Sequence, residues 1–159
     1  MFFSILNLST IKTLRRKNMK TIGLDIGDVW LGIAISDALG MFARPYKTFH
    51  VKEADAGLKE LFAQEKIDKI VIGYPKTMRG TVSDQTKKVE LEKERLEKLF
   101  PGYTWILWDE RLSSKRANTL KQAKTSEQKK QSHSIAAAFI LSSYLEFNRP
   151  KLDDNFSEE

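Results

Sequence analysis

From Thr21 onward apolar and polar residues take turns. Ile22, Leu24 and Ile26 alternate with Thr21, Gly23 and Asp25, which is the period of a strand with one apolar face. Gly27 and Asp28 interrupt the pattern, and Leu31, Ile33 and Ile35 resume it. The spacing predicts a hairpin of two antiparallel strands joined by a tight turn. Asp25 falls on the face opposite to the isoleucines, near the end of the first strand. A buried carboxylate there needs a partner. Either it is a turn aspartate held by backbone amides, or it belongs to a site.

Further along, a third strand is predicted over Pro45 to Val51, where Tyr46, Thr48 and His50 alternate with Lys47 and Phe49. Ala54 to Gln64 reads as an amphipathic helix with Leu58, Leu61 and Phe62 on one side. Residues 69–75, KIVIGYP, form the continuous apolar run expected of a central parallel strand. Ser83 caps a predicted helix running to about Phe100, with Val89, Leu96, Leu99 and Phe100 on its apolar side. Residues 103–110, YTWILWDE, read as a buried strand that ends in carboxylates. Two helices are expected after it, from Ser113 to about Gln122 and from about Ser132 to Glu146, with Lys124 to Lys130 as the joint. Ala136, Ala137 and Ala138 suit close packing of the last helix on the sheet. The three tryptophans read as core or sheet-surface residues, and His50 as an ordinary strand residue. This order predicts an α/β fold: a five-stranded mixed sheet, three antiparallel strands and then parallel ones, flanked by helices, with sites at strand ends.

A chain of 159 residues, 41% hydrophobic, has the material for one domain with a real core. A two-domain nucleotide-dependent enzyme does not fit in that length. The absence of cysteine excludes disulfides and thiolate metal sites and suits a cytoplasmic protein. No apolar run approaches the ~20 residues that span a bilayer, so no membrane partner is expected. The net charge of +6 is unevenly spread. Residues 1–18 hold four basic side chains and no acid, and read as an N-terminal extension, disordered or lying upstream of an initiator at Met19. Residues 19–147 form the expected domain, and residues 148–159 an acidic C-terminal tail. From Arg111 to Lys130 there are seven basic residues against one acid, Glu127. That local excess points to a nucleic-acid partner. The loop over residues 75–85 carries Lys76 and Arg79 around Gly80, and either reaches over a substrate or is a solvated connection.

Asp25 closes the first strand, and Asp109 with Glu110 closes the last. If those strands are neighbours, the carboxylates converge and repel unless a cation lies among them. Hard divalent ions prefer such oxygen donors. Two of them ~3.5 to 4 Å apart can activate water and stabilise the leaving oxygen of a phosphodiester. The plainer alternatives are that Asp109 pairs with Arg111 and that Glu110 merely starts the following helix.

The segments GLDIGDVWLGIAISD, IVIGYP with Gly80 after it, WDERLSS and SIAAAFILSSYL, in that order, resemble the YqgF (RuvX) family of the RNase H-like superfamily. The resemblance spans residues 20 to about 147. The Asp-x-Gly turn alone also occurs in actin-like kinases, which need two such domains. The resemblance implies an RNase H-like fold and a metal-dependent nuclease, a hydrolase that processes pre-16S ribosomal RNA in ribosome biogenesis or resolves Holliday junctions in branched DNA. It implies Asp25 and Glu110 as catalytic ligands of Mg²⁺ or Mn²⁺, with Asp109 as an additional carboxylate. Arg111 becomes a phosphate or structural contact, and Lys115, Arg116, Lys121 and Lys124 follow the nucleic-acid backbone. One position departs from the family pattern: His133 stands where an aspartate opens the last helix, and residues 128–145 contain no acid that could replace it. Histidine can ligate a metal and suits Mn²⁺ better than Mg²⁺. It can also serve as a general base or phosphate contact, or mark a protein of this fold that binds nucleic acid without cutting it. A resolvase implies a homodimer with two symmetric sites, and an assembly factor implies contacts with ribosomal proteins.

Overall fold

The computed structural model describes residues 19–76, 82–109 and 125–149. Among them the elements are β1 (Lys20–Ile26), β2 (Trp30–Ser36), β3 (Ala43–His50), α1 (Ala54–Gln64), β4 (Ile67–Tyr74), α2 (Asp84–Leu99), β5 (Thr104–Asp109) and α3 (Ser126–Phe147). The five strands form one sheet in the order β3-β2-β1-β4-β5. β1, β2 and β3 pair antiparallel, while β4 runs parallel to both β1 and β5. This is the mixed sheet that the alternation predicted. The first and last strands are not neighbours, however, because β4 lies between them. Their C-terminal ends still point to the same edge of the sheet.

The pleat sorts side chains to two faces. Ile22, Leu24, Ile33, Ile35, Ile70 and Ile72 meet Leu58 and Leu61 of α1 and Val89 and Leu96 of α2. On the other face Ala34 and Val71 meet Ala137, Ile140, Leu141 and Tyr144 of α3. Gly27 N–H donates to the Trp30 carbonyl at 2.9 Å, which closes the expected turn between β1 and β2.

Several boundaries differ from the sequence reading for identifiable reasons. β3 starts at Ala43 and ends at His50, not at Pro45 and Val51. Its alternation is broken: Ile33 pairs with Lys47 and Ala34 with Pro45, so Tyr46 is the extra residue of a bulge. Tyr46 and Phe49 therefore both pack on the first core cluster. Ser83 caps α2 as expected, in a reciprocal box with Thr86. Leu99, expected on the apolar side of α2, is exposed. α3 begins at Ser126 and not near Ser132, because Thr125 and Gln128 form a second reciprocal cap. Gln128, Lys129 and Lys130, read as part of a joint, are good helix formers and lie in its first turns. The helix expected over Ser113 to Gln122 lies outside the described residues. Among the described residues no helix is long and apolar enough to cross a membrane.

Candidate active site at the end of the central strand

β1 is the middle strand of the sheet, and Asp25 is its next-to-last residue. Directly beside Asp25 in the ladder is Gly32 of β2. A Cβ built at Gly32 would lie 2.1 Å from the carbonyl oxygen of His133, far inside contact distance. The backbone of α3 therefore rests on the backbone of β2 at this point. One helical turn later the pattern repeats, for a Cβ at Gly23 would lie 2.7 Å from the carbonyl oxygen of Ala137. The close packing expected of the alanine run is found here, with Ala136, Ala137 and Ala138 all buried.

This approach delivers the His133 side chain to Asp25. Nδ1 lies 2.7 Å from Oδ2 of the carboxylate, across 108 positions of chain. The Asp25 side chain is 3% exposed and that of His133 22% exposed. The carboxylate is the inner member of the pair and the imidazole the outer one. Asp25 thus has a tertiary side-chain partner, beyond anything a local turn supplies. An ionised carboxylate can only accept, so Nδ1 is the donor toward a charged Asp25. Gly27 leaves room for the ring, since a Cβ there would lie 2.9 Å from His133 Cε1.

Around the pair is an open hollow of about 540 Å³ whose walls include Gly27, Asp28, Trp30, Gln85, Lys129 and Ser132. α2 braces the turn after Asp25 from the opposite side. Gln85 Nε2 donates to the Ile26 carbonyl at 3.0 Å, and Lys88 Nζ donates to the Gly27 carbonyl at 3.3 Å. Lys88 also pairs with Asp28, and this hydrogen bond and charge hold the Asp28 carboxyl below the usual carboxylate range.

Of the ligands expected from the sequence, the structure brings Asp25 and His133 together. Asp109 ends β5 opposite Tyr74. Trp105 and Leu107 pack on the α1 and α2 side while Ile106 and Trp108 pack on the α3 side, so the alternation gives Asp109 to the face opposite Asp25. Glu110, Arg111, Lys115, Arg116, Lys121, Lys124 and Arg79 lie outside the described residues. Lys76 is exposed just past β4, with Nζ 5.4 Å from the centroid of the Tyr74 ring. Among the described residues no group of three or more histidines and acids is placed to hold a metal ion. The sequence reading did not single out Gln85, Lys88, Lys129 or Trp30. Lys129 was counted in the basic run, whereas nothing local in the sequence marks Gln85 or Lys88 as facing this turn.

Comparisons with known proteins agree with this architecture. The family model RuvX, described as Holliday junction resolvase, matches residues 19–147. A protein of Shouchella clausii provisionally named a pre-16S rRNA nuclease is 38% identical over 136 residues, covering 80% of this chain and 95% of that protein. One of Geobacillus kaustophilus with the same provisional name is 39% identical over 139 residues, covering 82% of this chain and all of that protein. Among solved structures, T. thermophilus RuvC in complex with a Holliday junction substrate superposes with a TM-score of 0.50 at 14% identity, over 82% of this chain and 96% of that one. That likeness is one of fold, and the fold is the expected RNase H-like one. With the family match running from the residue before β1 to the last residue of α3, the chain belongs to the RuvX family.

Proposed function

We propose that this protein is a metal-dependent nuclease that hydrolyses phosphodiester bonds in structured nucleic acid, with the precursor of small-subunit ribosomal RNA as its substrate. The observation that carries the reading is the buried Asp25 carboxylate at the end of the central strand, held by His133 at 2.7 Å at the base of an open hollow with Lys129 on its wall. The provisional names of the relatives supply the RNA substrate. The description of the family model favours a second substrate, the branched DNA of a Holliday junction.

The donor chemistry suits a divalent cation, Mg²⁺ or Mn²⁺. Such an ion would be held by carboxylate oxygen of Asp25, with a ring nitrogen of His133 as a further donor. Glu110 is assigned as the third ligand, and Asp109 stays at the same sheet edge as an outlying carboxylate. Such an ion supplies Lewis acidity that makes water a stronger nucleophile and stabilises the leaving oxygen. The chain's own residues do the rest. His133 fixes the rotation of the Asp25 carboxylate, Gln85 and Lys88 hold the turn that follows it, and Lys129 with Lys130 draws the phosphate backbone to the rim. In sequence, Arg111, Lys115, Arg116, Lys121 and Lys124 belong to the same basic run, and they are assigned with Lys76 and Arg79 to the phosphate backbone of the substrate.

The test is cleavage of a structured ribosomal RNA precursor and of a four-way DNA junction side by side, with Mg²⁺ or Mn²⁺. The expected result is metal-dependent cutting of the RNA that Asp25→Asn, Glu110→Gln and His133→Ala each abolish. Cutting of the junction alone transfers the activity to DNA. Binding without cutting, with activity appearing in His133→Asp, makes this a nucleic-acid-binding protein whose imidazole stands in the place of a lost ligand.

A further inference from the structure

Trp30 is the one residue of β2 that is not buried, and it belongs to neither hydrophobic cluster, whereas Trp105 packs on the first and Trp108 on the second. Of the core or sheet-surface positions expected of the three tryptophans, Trp30 takes the sheet surface. Its carbonyl closes the turn with Gly27 N–H at 2.9 Å, and its side chain lines the same hollow as Asp25 and His133. The indole is held edge-on by His50, with ring centroids 5.4 Å apart and planes at 81°. Lys130 Nζ lies 5.6 Å from its centroid, and Lys129 lines the same wall. A large, oriented aromatic ring with one ammonium group over its face and another on the same wall, at the mouth of a carboxylate site, matches what a nucleotide presents: a flat base joined to a phosphate.

Resting on the nuclease reading above, we propose that Trp30 is a stacking platform for an unpaired nucleobase beside the bond that is cut. The site therefore takes a nucleotide swung out of its helix in preference to one in a continuous duplex. A paired base is already stacked on its neighbours and has no face to offer, while an unpaired one does, whatever its identity. Lys129 and Lys130 meet the phosphate of that nucleotide. Asp28, the acid on the same wall, is engaged by Lys88.

The experiment measures binding of a labelled RNA strand, a DNA strand of the same sequence and the fully paired RNA duplex, with Ca²⁺ in place of Mg²⁺ so that binding is read without cutting. Wild type, Trp30→Leu and Trp30→Phe are compared, each checked for wild-type thermal unfolding. Leucine keeps apolar bulk on the strand but offers no ring, and phenylalanine keeps the ring. The expected result is about ten-fold weaker binding of the preferred single strand by Trp30→Leu, near-normal binding by Trp30→Phe, and an unchanged affinity for the duplex. The strand that wild type binds more tightly identifies the sugar. Equal single-strand affinity of wild type and Trp30→Leu overturns the stacking role and leaves the nuclease reading standing. A wild type that binds none of the three overturns both.

Discussion

The two faces of the sheet are packed by different means. Toward α1 and α2 the strands present Ile22, Leu24, Ile33, Ile35, Ile70 and Ile72, and the contact is side chain into side chain. Toward α3 they present Gly23, Asp25, Gly32, Ala34 and Val71, and the contact is backbone against backbone at Gly32, while at Gly23 the Ala137 carbonyl is joined by Cβ of Leu141. Side-chain packing has some slack, because rotamers can rearrange around a change of similar volume. Backbone packing has none, and it sets the height of α3 above β1 and β2. That height is what places the His133 ring on Asp25. The aliphatic face supplies stability and the glycine face supplies position, so substitutions can separate the two.

The sharpest break of this contrast starts on the aliphatic face. Leu58 is wholly buried, and Leu58→Ala should lower the free energy of unfolding by about 2 to 5 kcal/mol, measured by urea denaturation. Cleavage per folded molecule should stay near the wild-type rate. Gly32→Ala should cost somewhat less stability, about 3 kcal/mol at the upper end of overpacking, yet do more to the site. The added methyl would meet the His133 carbonyl oxygen at 2.1 Å and its carbon at 2.2 Å. Only a shift of the helix relieves that clash, and the shift withdraws the imidazole from Asp25. The folded fraction should therefore lose cleavage. If Gly32→Ala cut at the wild-type rate per folded molecule, the height of α3 would not be what builds the site.

The same contrast explains how far the sequence could be read. The β1–β2 hairpin and β4 show themselves because period-two alternation and short apolar runs are local patterns, and the face carrying Asp25 follows from counting along β1. The Asp25–His133 contact spans 108 positions and depends on two glycines admitting a helix, which no local pattern expresses. The start of α3 had a signal, the Thr125-x-x-Gln128 cap, hidden under a lysine run that reads equally well as a linker. The bulge at Tyr46 was hidden for another reason: alternation counts residues along one strand, whereas a bulge is a property of pairing between two. Trp30 could not be told from a core tryptophan, because an aromatic residue at the start of a strand looks the same whether or not a helix comes to cover it.

Smaller effects lie where α2 meets the rest of the molecule. The Ser83 hydroxyl accepts from Thr86 N–H at 3.2 Å, while the Thr86 hydroxyl donates to the Pro75 carbonyl at 2.6 Å. Ser83→Ala should cost about 1 kcal/mol in urea denaturation. Because α2 also carries Gln85 and Lys88 against the turn after Asp25, this change should cause a modest loss of cleavage, well short of that from Gly32→Ala.

The smallest effect belongs to the rim of the aliphatic face. Arg95 of α2 holds both oxygens of Asp55 in the first turn of α1, at 2.8 and 2.6 Å. Its hydrogen bonds, with a lesser contribution from its charge, outweigh the opposing effect of burial and hold the Asp55 carboxyl below its ordinary value of 3.8. A group with a lowered pKa stabilises the fold fully above its unfolded pKa and loses that contribution as the pH falls through the folded value. Both side chains are 45% exposed, so solvent screening leaves the pair about 0.5 kcal/mol. The difference in urea stability between wild type and Asp55→Asn should therefore be constant from pH 7 down to about pH 4, shrink below that, and shrink at high salt as well. A difference larger than that of Ser83→Ala, or one that persisted below the folded pKa, would mean that the rim holds α1 to α2 by packing of the Arg95 stem and not by charge. The aliphatic face would then owe part of its stability to its edge, and the division between a face that stabilises and a face that positions would have to be drawn further in.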